Sequence, residues 1–373
     1  MMIKENLVSL TKNLIKYQTT KENLKEKEKI VDFCFNELKK FSQYIKIFRS
    51  QKLPSLVANL KKEKNPKVFL VGHLDVVPAK KEEFLPKIKG DRLYGRGSFD
   101  MKGACAVMIE LFKYFGKKEK KPSLGIILTT DEEIGGENGV GYLLKKGGFK
   151  SKLAVVLDGG GGPWKVVLKE KGVLHLEIET KGKSAHGAYP FKGDNAIDHL
   201  IRIYLKIRKL IPELKKKEWK TSMNLGKIEG GEAPNKVPDK AKMCLDIRYI
   251  KKNEEKDLVQ KIKKIAKEEK GKIKVLTYGY PLVLQKNAFY FKLYQKLVRK
   301  ILKREMEFSK VYGATDARFF AQKGIPVLMT QPYGKNLHAE NEWVSVKSLE
   351  ALFEILKEFL EEFFLRKILV ELK

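Results

Sequence analysis

Three short runs at residues 67–71, 124–129 and 153–157 are almost wholly apolar, and segments with helical spacing separate them at about 102–114 and 139–145. A strand that is apolar on both alternating faces cannot leave either face in water, so this pattern predicts a mostly parallel sheet covered on both sides by helices. Further strands are expected at 44–49 and 55–60. Before them, Leu7, Leu10 and Leu14, then Ile30, Phe33, Cys34 and Leu38, recur at helical spacing, so the chain opens with helices.

The pattern changes after Pro163. A strand at 173–180, a helix at 195–211, strands at 221–228 and 242–249, a helix at 254–267 and a strand at 272–277 give the order βαββαβ, that of a ferredoxin-like α+β unit. It reads as an insertion. Residues 1–171 and 279–373 are then two parts of one catalytic domain, and 172–278 is an inserted lid or dimerisation domain. The tail returns to helix (288–302), strand, helix (316–322), strand (327–329) and a long amphipathic helix. That last helix is read from the run 349–372, in which Glu354, Lys357, Glu358, Glu361, Glu362, Arg366 and Lys367 interrupt the apolar residues. Such a run is too charged to span a membrane. With no signal-peptide pattern at the N-terminus, a cytoplasmic protein is expected.

Lysine and arginine total 77 against 46 acids, a net charge of +31, yet only 10 of the 77 are arginine. Recognition of bases and phosphates draws on the forked guanidinium, and the lysines are spread along the whole chain. The excess therefore reads as a solvated surface, with no specific nucleic-acid partner. Cys34, Cys105 and Cys244 are far apart and lie in apolar contexts, which suits buried thiols in a reducing compartment.

The chemistry concentrates where apolar runs end. His73 and His338 stand at such ends, as do Asp75, Asp100, the triplet Asp131, Glu132 and Glu133, and Asp158. Any one of these acids alone reads as a cap or a turn residue. Several converging on one end of a sheet would repel one another unless a cation neutralised them. His73, Asp100, Glu133, Asp158 and His338 suffice for two divalent ions that share one carboxylate. His175, inside an alternating strand, and His199, inside an amphipathic helix, read as structural. His186 lies in a loop of small residues.

The ordered series of segments 72–78 (GHLDVVP), 93–103 (LYGRGSFDMKG), 129–136 (TTDEEIGG), 182–190 (GKSAHGAYP), 230–238 (GGEAPNKVP), 246–248 (DIR), 313–319 (GATDARF) and 337–342 (LHAENE) resembles a zinc hydrolase family. Its members include acetylornithine deacetylase, succinyl-diaminopimelate desuccinylase, aminoacylase, glutamate carboxypeptidase and cytosolic dipeptidases. The resemblance runs nearly end to end.

It implies that Asp100 bridges two zinc ions, with His73 and Asp158 completing one site and Glu133 and His338 the other; cobalt or manganese can substitute. It implies that Asp75 orients the His73 imidazole and that Glu132 is the general base. His186 would stabilise the oxyanion, usually in the partner subunit of a homodimer. Arg248, Asn235, Gly313 and Thr315 would bind a small substrate with a free carboxylate. A deacylase of the acetylornithine and succinyl-diaminopimelate type is the leading expectation, and a dipeptidase or carboxypeptidase the alternative. A binding protein that has lost its chemistry is less favoured, because every ligand and the base are present. One departure bears on this choice: many deacylases of the family place Glu-Pro where this chain has Asp158 followed by Gly159, and the shorter carboxylate occurs in several of its peptidases.

Overall fold

The computed structural model describes residues 2–365. They form two compact units, one made of the chain up to Lys169, Val283–Val311 and the chain from Thr315, the other of Glu170–Leu282 with Tyr312–Ala314.

The first unit opens with α1 (Met2–Ile15) and α2 (Leu24–Leu38), whose buried residues Leu7, Leu10, Leu14 and Ile30, Cys34, Leu38 form single stripes. Asn23 caps α2 by accepting from the Glu26 amide. Strands β1 (Tyr44–Ser50), β2 (Leu53–Asn59) and β3 (Val68–His73) follow, then β4 (Lys87–Lys89), β5 (Arg92–Tyr94), α3 (Gly103–Gly116), β6 (Leu124–Thr129), α4 (Val140–Lys145), β7 (Leu153–Val156) and β8 (Lys165–Glu170). The second unit carries β9 (Gly172–Lys181), α5 (Ala196–Leu210), β10 (Ser222–Gly230), β11 (Lys240–Tyr249), α6 (Glu254–Glu268) and β12 (Gly271–Gly279). After β13 (Leu282–Val283) the chain adds α7 (Phe289–Leu302), β14 (Glu307–Val311), α8 (Ala317–Gln322), β15 (Val327–Met329), β16 (Gly334–Lys335), β17 (Trp343–Ser345) and α9 (Val346–Leu365). The expected helix beyond Leu365 lies outside the described residues.

The main sheet has the order β1-β2-β6-β3-β7-β15. Its four strands β6, β3, β7 and β15 are parallel, and β1 and β2 add an antiparallel edge. The expected double cover is present. Leu70, Ile126 and Val155 stand level in the register and belong to a core shared with α1, α3, α7 and α9. On the opposite face Val71, Ile127 and Val156 are buried, as are Leu143 of α4 and Phe320 of α8.

In the second unit the sheet order β10-β11-β9-β12 is antiparallel throughout, the ferredoxin-like arrangement. Its α5 and α6 cover Leu174, Leu176, Met243 and Leu245. Alternation then sends Asp246, Arg248 and Cys244 to the other face. Cys244 is accordingly half-buried, which corrects the expectation of three buried thiols.

The sequence pattern missed β8 and a small sheet of order β16-β17-β5-β4. The strands of that sheet are only two or three residues long, too short for alternation to register. It pairs Trp343 with Tyr94 and Gly334 with Val344, and so brings the loop after β5 to the loop between β16 and β17.

Candidate metal centre

Strand register builds one side of the centre. His73, the last residue of β3, pairs with Thr129 at the end of β6, and Val71 pairs with Val156 of β7, so Asp158 lies just beyond the sheet at the level of His73. Glu132 and Glu133 occupy a short turn after β6. The Asp75 carboxylate accepts from the amides of Glu132 (3.3 Å) and Glu133 (3.1 Å) and holds that turn. Asp131 stands at the start of that turn but its carboxylate makes no bond to it, accepting instead from the amides of Asn138 and Gly139 ahead of α4. Gly135 and Gly136 end the turn at φ +115° and +66°, conformations that favour glycine. A Cβ on Gly136 would also fall 2.1 Å from Asp316 Oδ1.

The loops joined by the small sheet supply Asp100 and His338. The two Asp100 oxygens divide between two rings, Oδ1 lying 3.1 Å from His73 Nε2 and Oδ2 3.1 Å from His338 Nε2. His338 Nε2 is also 3.3 Å from Glu133 Oε1, and His73 Nε2 is 4.0 Å from Asp158 Oδ2. Potential ligand atoms of His73, Glu132 and Asp158 lie within 4.8 Å of one another, and so do those of Asp100, Glu133 and His338. His73 Nδ1 meets the backbone carbonyl of Asp75 at 3.0 Å, while the Asp75 carboxylate stands farther off, at 3.6 Å. Asp75 thus acts at two points: its carbonyl orients the ring, and its carboxylate holds the acidic turn.

The electrostatics reflect crowding of like charge. Burial pushes Glu132 well above the usual carboxylate range, with Asp158 and Asp316 adding to the rise. Burial opposes charge on His73, but the hydrogen bond to Asp100 and the other carboxylates outweigh it and hold its pKa well above the ordinary value. Hydrogen bonds to Asp100 and Glu133 raise His338 to about 10. Four carboxylates and two imidazoles therefore face one another. Such a cluster draws positive charge to itself, and its nitrogen and oxygen donors are of the kind that zinc accepts.

Next to these side chains stand buried groups for which the sequence gives no role. Asp316 is buried and raised to about 8 by desolvation and by Asp131. Arg318 donates to the Gly135 carbonyl at 2.6 Å and supports the acidic turn from below. Lys102 donates to the Tyr17 carbonyl, and burial lowers it to about 7. Glu342 accepts from the Asp100 amide. Asp316 and Glu342 both fall within segments that carry the resemblance, but only contacts distant in sequence reveal what they hold.

The second unit presents the remaining candidates separately. His186 is exposed, and its Nδ1 accepts from the Ala188 amide. Asn235 is brought beside it, because the Gly187 amide donates to the Asn235 carbonyl and His186 bridges to Lys236. The Arg248 guanidinium forms a fork with Asp246, at 2.7 and 3.1 Å, and Asp246 also lies 3.3 Å from His175 Nε2. Gly313 belongs to this unit. Thr315 belongs to the first, where it is buried and its hydroxyl accepts from the Ala317 amide at the start of α8.

The sequence profile of peptidase family M20/M25/M40 matches residues 69–362. A succinyl-diaminopimelate desuccinylase of Wigglesworthia glossinidia brevipalpis is 29% identical, covering 98% of this chain and all of that protein (100%). The corresponding enzyme of Pelagibacter ubique (strain HTCC1062) is 31% identical over 80% of this chain and 83% of its own. Among solved structures, an M20 family metallo-carboxypeptidase from Sulfolobus solfataricus superposes with a TM-score of 0.79 at 19% identity, covering 95% of this chain and 98% of that one.

Proposed function

Because the chain belongs to peptidase family M20/M25/M40 and is a metal-dependent hydrolase of amide bonds, we propose that it removes the acyl group from a small N-acyl amino acid with a free carboxylate, as a deacylase of the desuccinylase type. The observation that carries this reading is the convergence of four carboxylates and two imidazoles at the end of the parallel strands. The two desuccinylases that align along most of their length favour the deacylase over a peptidase. The specific feature on the side of a dipeptidase or carboxypeptidase is Asp158, the shorter carboxylate followed by glycines.

In this reading His73 and Asp158 would hold one zinc ion and Glu133 and His338 a second, with Asp100 shared between them. Bound there, the ions would supply Lewis acidity for the hydrolysis. Glu132 shares the space of His73 and Asp158. It accepts the proton of the attacking water and returns it to the departing nitrogen as the C–N bond breaks. His186 donates a hydrogen bond to the developing oxyanion. Arg248 exchanges its fork with Asp246 for one with the substrate carboxylate, Asn235 joins it in holding the substrate, and Gly313 and Thr315 complete the binding set.

The inserted region 172–278 would act as lid and dimerisation domain, between the catalytic parts 1–171 and 279–373. Three cysteines without a disulfide suit the reducing cytoplasm. The direct test is hydrolysis of N-succinyl-diaminopimelate, N-acetyl-ornithine, other N-acyl amino acids and dipeptides, with and without chelator. Chelator-sensitive turnover of an N-acyl amino acid is the expected result; turnover of dipeptides alone would shift the assignment to the second reading. Mixing His186→Ala with Glu132→Gln tests the dimer, since restored activity requires that His186 serve its partner's site.

A further inference from the structure

Asp100 and His338 are 238 residues apart in the chain, and their loops are joined by a buried ionic network that takes no part in the proton transfers above. Glu342, four residues beyond His338, is 1% exposed, and Arg96, four before Asp100, is 3% exposed. Glu342 Oε1 accepts from the amides of Phe99 (2.8 Å) and Asp100 (3.0 Å), and its Oε2 accepts from the Gly97 amide (3.0 Å) and Arg96 Nη1 (2.8 Å). Arg96 Nη2 donates to the carbonyl of Ala339, the residue after His338, at 3.0 Å. Glu83 closes the network: one oxygen accepts from the Asn341 amide at 3.0 Å, and the other is 3.5 Å from Arg96 Nη2.

The receiving loop needs such restraint. Asn336, His338 and Asn341 have φ of 64°, 58° and 57°. Left-handed conformations are uncommon outside glycine, even for the Asn and His that adopt them most readily, and persist where surrounding contacts over-determine them. Here the restraint runs from the Asp100 loop through one carboxylate and one guanidinium to the residues flanking His338. It sets the distance between two metal ligands that the chain itself leaves unrelated.

We propose that Glu342 and Arg96, with Glu83 in support, are positioning residues that preset the Asp100–His338 half of the metal centre. This rests on the metal reading above. Glu342→Gln is the sharp probe, because its amide nitrogen must replace an oxygen that faces either two amides or an amide and a guanidinium, and so sets donor against donor. Calorimetric titration of the chelator-stripped full chain with zinc reads the effect without substrate. The wild type is expected to take up two ions per chain, and Glu342→Gln to weaken the ion held by Glu133 and His338 by about 10–100-fold, the size usual for loss of a group that orients a ligand, with a smaller loss at the other through the shared Asp100. Equal weakening of both ions with a native near-ultraviolet circular dichroism would count against the proposal. Glu83→Gln serves if Glu342→Gln fails to fold, and it should weaken the same ion to a smaller degree.

Wild-type affinity for both ions in Glu342→Gln and Glu83→Gln would overturn the proposal and leave the metal centre standing. A wild-type chain that binds no zinc would remove the metal reading itself, and this inference with it.

Discussion

Two groups of histidine and carboxylate in this molecule are built from the same residue types and come out electrostatically opposite. In the first unit, Asp100, Glu132, Glu133 and Asp158 gather around His73 and His338. In the second, His199 lies 2.7 Å from Asp194 and 3.2 Å from Glu269. There the acids are matched within the chain: Glu269 also pairs with Arg202 and Lys206, and Asp194 with Lys270. Hydrogen bonds from Arg202 and Lys206 pull Glu269 down to about 2, whereas burial pushes Glu132 up. A group that carries its own counter-charges is complete as it stands. One with four buried or half-buried acids and only imidazoles for balance is arranged for a cation from outside.

The contrast breaks most visibly at Glu132. Glu132→Gln should lower turnover by about 10²–10⁴-fold, the range for loss of a general base, with bound metal measured by atomic absorption unchanged. His199→Gln, by the same assay, should leave turnover near the wild-type value; a comparable loss there would put the second group in the chemistry. Removing metal is the next largest effect. At about 1,000 times its dissociation constant a bound ion stabilises the fold by about 4 kcal/mol, so chelation should lower the thermal midpoint of the wild type and of Glu269→Gln by similar amounts. A midpoint indifferent to chelator would argue against a site preformed in the native state.

Arg248→Ala sharpens the comparison inside the second unit, because Arg248 is assigned to substrate although its fork is held by Asp246. Loss of a charge-assisted pair should raise KM by about 10–100-fold with a smaller change in kcat, read from initial rates on the substrate found in the screen. An unchanged KM would return Arg248 to a structural role with Asp246 and His175. The smallest effect belongs to Glu269. Its folded pKa of about 2 lies below the ordinary 4.5, so its stabilisation is present above about pH 4.5 and is lost as pH falls towards 2. The difference in thermal midpoint between wild type and Glu269→Gln should therefore shrink between about pH 6 and pH 3. For partly exposed pairs it amounts to at most about 1 kcal/mol at the upper end.

Much of this was legible in the order of the residues. The uninterrupted apolar runs announced a sheet covered on both faces, and the βαββαβ order announced the second unit, because both patterns are local and repeat over many residues. His73, Asp131 and Asp158 could be marked because they end those runs. Three things could not be read. The short strands β4, β5, β16 and β17 fall below the length at which periodicity is detectable. The half-burial of Cys244 depends on which face of β11 the helices cover. The roles of Glu342, Arg96 and Arg318 consist of bonds to backbone groups far away in the chain, for which a sequence carries no local sign.

The sequence by itself determined the fold class and which residue types stand ready for metal and proton chemistry, since periodicity, strand ends and the inventory of acids and histidines are properties of neighbours along the chain. Tertiary structure alone decided how those residues meet: that Asp100 divides its two oxygens between His73 and His338, and that the Asp75 carboxylate holds the acidic turn. Hydrogen bonds and ion pairs form over about 3 Å of space, and only the packing of the two loops and the parallel strands brings residues so distant in the chain within that reach.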